Sequence, residues 1–376
     1  MGWLIGVLAT VLALSIAPRA PTCSNDGSHL ALALSLSEGR VSLGRYAFMA
    51  GVDHSEREGT IYSDRAPGLA FLLVPLLWLG IDPRLLSAAA FGATLAILYG
   101  WLRRDGCSVA VAGATALLAG TTLLLRYAPV LFAHSLAAML VTLGARLATG
   151  SPRHGWPLGL VLGWAGITEY ALAALAIAAG LVAWRRLPSY YVGLAIPVAA
   201  AALYQWIAFG APWTTSYAYQ ATFTAAHSIG GNFDGPLWAG LQSFVLEGKD
   251  SWGFQNHGLL TISPVLALAP LGFFAYGRRF RWQALLLAVI CAGYLLLYSK
   301  FVAFGAGTMD SRYYVPFLPL LLLGIGHLLA RVGWPAWLVV AMFALAGLDN
   351  VLLHIGHSYG WNGTLTMHTP DLHWSL

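Results

Sequence analysis

Charge is what this sequence has least of. Lys, Arg, Asp and Glu make up only 9% of the 376 residues, whereas 58% are hydrophobic, and the mean hydropathy is +0.70. A soluble domain carries roughly a quarter of its residues as charges, so this chain would leave such a domain with an apolar surface. A polytopic membrane protein is the class that remains. Cysteine is scarce as well. Cys23, Cys107 and Cys291 fall outside, inside and within a span of the topology derived below, so no internal disulfide is expected. The chain has no glycine-rich phosphate loop of the Walker or dinucleotide type, no internal repeat, no low-complexity linker and no break in composition that would mark a second domain. The excess of basic residues, 20 Lys and Arg against 15 Asp and Glu, reads as arginines meeting anionic lipid and not nucleic acid.

What the chain does have is a series of apolar runs separated by short arginine-bearing connections. Spans are predicted at Trp3–Ala17, Leu85–Leu102, Val109–Leu125, Pro129–Leu147, Pro157–Ile167, Thr168–Trp184, Pro188–Phe209, Gly258–Tyr276, Gln283–Tyr298, Tyr313–Ala330 and Trp334–Leu353. These eleven spans predict an all-α, polytopic helical bundle forming a single domain. Several are shorter than the ~20 residues that cross a bilayer untilted. The Trp3–Ala17 run, followed by Ala-Pro-Arg-Ala, has the look of a secretory signal but is read as a retained first helix.

Charge asymmetry sets the orientation. With the N-terminus inside, Arg103, Arg104, Arg146, Arg153, Arg185, Arg186, Arg278, Arg279, Arg281 and Arg331 all face the cytoplasm, with Asp105 as the one acid there. Reading Pro157–Trp184 as a single span would destroy this bias, so it is divided near Gly166-Ile167-Thr168-Glu169. The expected location is the plasma (inner) membrane, with the C-terminus outside. Three segments then lie on the outer face: 18–84, 210–257 and the short Lys300–Arg312 connection, followed by an outer tail over 354–376. Leu30–Leu36 and Pro67–Gly80 are too short to span and are predicted as interfacial helices.

The outer segments carry the candidate chemistry. The first contains Asp26-Gly27-Ser28-His29, then Asp53-His54-Ser55-Glu56-Arg57-Glu58-Gly59, then Tyr62-Ser63-Asp64-Arg65-Ala66-Pro67. Taken singly, Asp26 reads equally well as a helix N-cap, and so does Asp64 ahead of a first-turn proline. Arg65, Arg126, Lys300 and Arg312 stand at outer interface depth, where a guanidinium suits a phosphate and an arginine also simply anchors a helix. Glu169 is an acid near membrane depth, a functional candidate whose plainer role is charge partner to a nearby arginine. His134 reads as a hydrogen-bonded core histidine. His227, His257, His354, His357, His368 and His373 collect outside and could hold a divalent ion, although a solvated tail accounts for most of them. Asn362-Gly363-Thr364 is a glycosylation acceptor sequence.

In their order along the chain these segments resemble the polytopic C-type glycosyltransferases that use lipid-phosphate-linked sugars, the class that includes protein O-mannosyltransferases and aminoarabinose transferases. Asp26-Gly27-Ser28-His29 resembles that family's Asp-x-x-Arg start of an interfacial helix, with His29 in place of arginine. Tyr62-Ser63-Asp64-Arg65-Ala66-Pro67 resembles its Tyr-x-acidic-Lys-Pro-Pro segment. Gly166-Ile167-Thr168-Glu169-Tyr170 is similar to a short broken span, and Asp310-Ser311-Arg312-Tyr313-Tyr314-Val315-Pro316 to an Arg-Tyr-x-x-Pro start of a late span.

The resemblance implies transfer of a sugar from a polyprenyl-phosphate-linked donor to an acceptor on the outer face. Asp26 would be the catalytic carboxylate, with Asp53 as second choice. Arg65 and Arg312 would share the donor phosphate, with Arg126 and Lys300 beside them, and His29, Tyr62, Asp64, Glu169, Tyr170, Asp310 and Tyr313 would support the site. No resident cofactor is implied. The alternative from a different class is a non-catalytic protein of the same architecture, either a subunit of a membrane complex or a lipid-binding or flipping module.

Overall fold

The computed structural model describes residues 1–18, 21–150, 155–183, 188–223, 227, 232–304 and 308–359. Arg153, Arg185, Arg186, Asn362-Gly363-Thr364, His368 and His373 lie outside the described residues, as does the side chain of His357. The described residues are all-α apart from two short antiparallel hairpins. It forms two compact units interleaved in sequence. One holds the described residues of 1–15, 88–128 and 230–366, the other those of 16–87 and 129–229. No change in composition marks these boundaries, because both units are built from the same kind of apolar helix.

Every predicted span is helical over part of its length, but among the described residues five helical stretches are long and apolar enough to cross a membrane: Arg84–Arg104, Ser189–Phe209, Arg281–Ser299, Arg312–Leu329 and Trp334–Gly356. The other six are shorter or broken, so the count of eleven full-length spans does not follow from the helices. The breaks have local causes. The Val109–Leu125 run divides at Gly120-Thr121-Thr122 into α6 (Val109–Ala119) and α7 (Leu123–Tyr127), where the Thr122 side chain accepts the Leu124 N–H and caps the second piece. The Gly258–Tyr276 run divides at Ser263-Pro264, where proline cannot continue the ladder. It resumes after a 3-10 turn as Ala269–Gly277.

Small residues bring helices into close contact within each unit. In the first unit, α1 (Gly2–Ser15) meets the later part of α5 (Arg84–Arg104), where a Cβ on Gly6 would stand 3.0 Å from the Gly92 carbonyl oxygen. Gly272 and Gly324 lie back to back, and a Cβ on Gly272 would stand 2.5 Å from the Gly324 backbone. In the second unit, α9 (Gly155–Thr168) and α11 (Ser189–Phe209) cross where Gly159 and Gly193 each face the other helix's backbone with no room for a side chain. Backbone contact of this kind is what holds helices together when lipid removes the hydrophobic contrast.

The second unit carries the elements that position the candidate site. α2 (Ser24–Ser37) is buried from Asn25 to Ala33 and packs on α4 (Gly68–Trp78), so it lies within the unit and not along a surface. Between them runs a hairpin of β1 (His54–Arg57) and β2 (Thr60–Ser63), turning at Glu58-Gly59 with positive φ at both positions, 55° and 74°. Two positive φ values are what a tight two-residue hairpin turn demands. The pairing of His54 with Ser63 sets Asp53 directly opposite the Ser63-Asp64-Arg65 exit.

Candidate functional site

Two polar clusters emerge, one in each unit. In the second unit Arg65 is held by two carboxylates: it is ion-paired to Asp53, and its Nε lies 2.8 Å from Asp64 Oδ1. Asp53 also accepts the Ser24 hydroxyl at 2.5 Å. Ser28 Oγ donates to the Asp53 carbonyl at 2.8 Å and lies 2.8 Å from Ser63 Oγ, which in turn accepts the Arg65 N–H at 3.1 Å. The 216–220 segment docks onto the hairpin from outside. Ser55 Oγ donates to the Ser216 carbonyl and Ser216 Oγ donates to the Asp64 carbonyl, both at 2.7 Å. Gln220 Nε2 donates to the Val52 carbonyl at 3.2 Å.

The start of α4 presses on the break that follows α9. A Cβ on Gly68 would stand 2.6 Å from the Ile167 carbonyl oxygen, and Trp164 Nε1 donates to the Gly68 carbonyl at 3.2 Å. Glu169, in extended backbone just past α9, places Oε1 2.6 Å from His134 Nδ1 at the start of α8 (His134–Ala148). Its Oε2 is buried and has no hydrogen-bond partner among the described residues. The basic partner of Glu169 is therefore His134 and not an arginine. Tyr170 lies 3.5 Å from Gln205, and Tyr62 packs on Phe209.

Electrostatics in this cluster are dominated by burial. Asp64, 1% exposed, is pushed up from 3.8 to about 6 by burial, against the pull of Arg65. Burial also holds the His29 imidazole well below its ordinary range, with further downward pushes from Arg65 and His134. The neutral imidazole is thereby favoured, and among the described residues its buried Nδ1 has no hydrogen-bond partner. A raised carboxyl pKa favours the folded state when protonated. The contribution of Asp64 is complete below 3.8 and is lost as pH rises through about 6. Wild-type protein should therefore lose stability relative to Asp64→Asn across that window in thermal unfolding in detergent. A pH-independent difference between the two would contradict the assignment.

Asp26, the first-choice catalytic carboxylate, is the third residue of α2, in its first turn, and serves the backbone. It accepts the Thr22 N–H at 2.8 Å, the Thr22 hydroxyl at 3.0 Å, the Cys23 N–H at 2.9 Å and the Gly27 N–H at 3.1 Å. A carboxylate offers about four lone-pair sites, so these donors saturate it. Burial raises its carboxyl pKa, and the donors work the other way. The geometry is that of an N-terminal cap.

In the first unit Arg126 is ion-paired to Asp310, and both are buried. Tyr127 donates to the two Asp310 oxygens at 2.7 and 2.9 Å, and Arg126 donates to the Thr308 carbonyl at 3.1 Å. Arg312 donates to Thr308 Oγ1 at 2.5 Å and to the Tyr313 hydroxyl at 3.1 Å, with its guanidinium carbon 4.7 Å from the Tyr313 ring centroid. A second hairpin, Glu247–Lys249 with Gln255–His257, delivers the His257 N–H to the Met309 carbonyl at 2.8 Å, and Met309 takes a positive φ of 56°. Lys300 is exposed at the end of the Arg281–Ser299 helix and joins neither cluster.

Arg65 and Arg312 thus belong to different units. Asp53, Asp64, Arg65, His29, Glu169, Tyr170 and Tyr62 gather in one, and Arg126, Asp310, Arg312 and Tyr313 in the other. Ser24, Ser216, Gln220 and Thr308 belong to these clusters but carry no signal in the sequence, whereas Ser63 lies within the Tyr62–Pro67 motif and Tyr127 adjoins Arg126. Among the described residues no group of three or more His, Cys, Asp or Glu is arranged to hold a metal ion. His257 and His354 do pack ring to ring at 5.1 Å. No family model matches the chain, and it has no match among curated proteins or solved structures.

Proposed function

We propose that the chain is an integral-membrane glycosyltransferase that moves a sugar from a polyprenyl-phosphate-linked donor to an acceptor hydroxyl or amine at the outer face. The observation that carries this reading is the Asp53–Arg65–Asp64 set, with both carboxylate residues buried and Arg65 largely covered, held by the hairpin at the head of α4. Asp53 is the preferred proton acceptor. Among the described residues it receives Ser24 and Arg65 alone, so carboxylate lone pairs remain for a substrate proton, whereas those of Asp26 are filled.

In the proposed displacement the acceptor oxygen or nitrogen attacks the anomeric carbon and its proton passes to Asp53. The bond from that carbon to the phosphate oxygen breaks with its electron pair on the phosphate, and the sugar centre inverts. Cationic side chains stabilise the departing phosphate. Arg65, which stands in the same cluster as Asp53, is the cation proposed for that task. The orientation proposed with this reading places the N-terminus in the cytoplasm and the arginine-rich connections inside a plasma membrane, with up to eleven crossings.

The second reading, a non-catalytic membrane subunit or lipid-binding module, draws support from the neutralisation of Arg65 and Arg126 by carboxylates. One experiment separates the two. Mass spectrometry of lipids extracted from purified protein should find a polyprenyl phosphate, and adding the sugar-charged lipid should give transfer. Retention of the lipid without transfer would favour the module, and loss of both would reject the transferase.

A further inference from the structure

The helical hairpin of Ala269–Gly277 and Arg281–Ser299 carries three arginines at its turn, and they are disposed differently. Arg279 reaches back to donate to the Asp105 carbonyl at 2.7 Å. Arg278 and Arg281 are exposed, and among the described residues neither has a carboxylate within ion-pair distance. Their guanidinium carbons stand 5.2 Å from the Phe274 centroid and 5.6 Å from the Trp282 centroid. Both arginines line a hollow of about 450 Å³ between the two helices, walled by Phe273, Phe274, Leu285 and Ala288. Small residues keep its floor open: a Cβ on Gly277 would already lie 3.5 Å from the Ala284 Cβ.

The hollow is therefore cationic at one end and apolar along its length. Ala288 is seven residues beyond Arg281, about 10 Å along the helix at 1.5 Å per residue. The second helix is one of the five long and apolar enough to cross a membrane, and Arg281 is its first residue, which puts both arginines at the level of lipid headgroups. Leu285 and Phe274 are 51% and 67% exposed, so the walls need apolar cover.

We propose that this hollow binds an anionic phospholipid, with its phosphate on Arg278 and Arg281 and an acyl chain along Phe274, Leu285 and Ala288. Guanidinium groups suit phosphate oxygens in forked hydrogen bonds, and basic pockets between membrane helices are suited to anionic headgroups. A zwitterionic headgroup brings its own cation against two arginines and binds less well. The site is independent of the proposed transferase chemistry, since it uses none of those residues.

Native mass spectrometry of the full chain tests this. Phosphatidylglycerol and phosphatidylcholine with identical acyl chains are titrated in parallel, with inorganic phosphate and a polyprenyl phosphate as competitors. Phosphatidylglycerol should be retained in preference to phosphatidylcholine. The Arg278→Gln/Arg281→Gln protein should lose about 25-fold in that retention, from about 5-fold per arginine near an anionic headgroup. Ala288→Trp, which fills the chain end of the hollow, should weaken retention with both arginines intact. Equal retention of the two lipids by wild-type protein overturns the proposal whatever the variants do. So does an unchanged preference in the double variant, displacement by equimolar inorganic phosphate, or retention of polyprenyl phosphate alone.

Discussion

Asp53→Asn is expected to lower sugar transfer by about 10²–10⁴-fold, the usual contribution of a positioned general base, while retention of the lipid donor and the unfolding temperature change little. The amide keeps an oxygen to accept the Ser24 hydroxyl and can stay beside Arg65, so the site keeps its shape and loses a proton acceptor. Asp26→Asn is the informative companion. Its carboxylate caps α2 through four donors, and replacing such a cap costs roughly 0.5–2 kcal/mol of stability, so turnover per folded molecule should stay within a few-fold of wild type. Transfer assays on both variants, run beside lipid retention and thermal unfolding, decide the matter. An inactive Asp26→Asn protein that folds and holds donor normally would return the base to Asp26. Full activity in both variants would remove the proton-accepting role from this loop.

Arg126→Met should be among the most destabilising single substitutions in the chain. Arg126 and Asp310 are 3% and 0% exposed, and the arginine is the ion-pair partner of a carboxylate whose other side-chain donors among the described residues are the neutral hydroxyls of Tyr127 and Thr308. Removing one partner of a buried pair leaves an uncompensated charge, which costs about 3–5 kcal/mol. Arg126→Met/Asp310→Asn removes both charges and keeps an acceptor for Tyr127, so it should be less damaging than Arg126→Met alone. Thermal unfolding in a single detergent provides the comparison. An Arg126→Met protein as stable as wild type would show that the pair contributes nothing, and a double variant worse than the single would show that the charge left behind is not the cause.

The first outer segment shows where the sequence is legible and where it is not. Asp53–Gly59 reads as a polar run, yet it forms half of a hairpin. The signal present was Glu58-Gly59 between Ser55-Glu56-Arg57 and Thr60-Ile61-Tyr62, but the alternation is short and only one glycine marks the turn. Without the hairpin nothing brings Asp53 to Arg65, because twelve residues separate them in the chain. Asp26 shows the opposite difficulty. Its place at a helix start fits a cap and a catalytic group equally well, and only the count of donors around the carboxylate separates the two. His134 and Glu169 are 35 residues apart on different elements, and no periodicity connects them.

Composition and charge by themselves determined that this chain is helical and apolar enough for a membrane, because burial of backbone polar groups in lipid leaves a chain this hydrophobic few alternatives to helix. They also determined where the helices lie, since Arg, Gly and Pro punctuate the apolar runs. Hydropathy cannot see a local break such as Gly120-Thr121-Thr122 or Ser263-Pro264, so it carried the Val109–Leu125 and Gly258–Tyr276 runs through them as continuous spans. The tertiary structure alone decided the division into two units and the pairing of Arg65 with Asp53 and Asp64, of Arg126 with Asp310, and of Glu169 with His134. Such pairings depend on hairpin register and on glycine-lined helix crossings, which set distances between residues far apart in the chain.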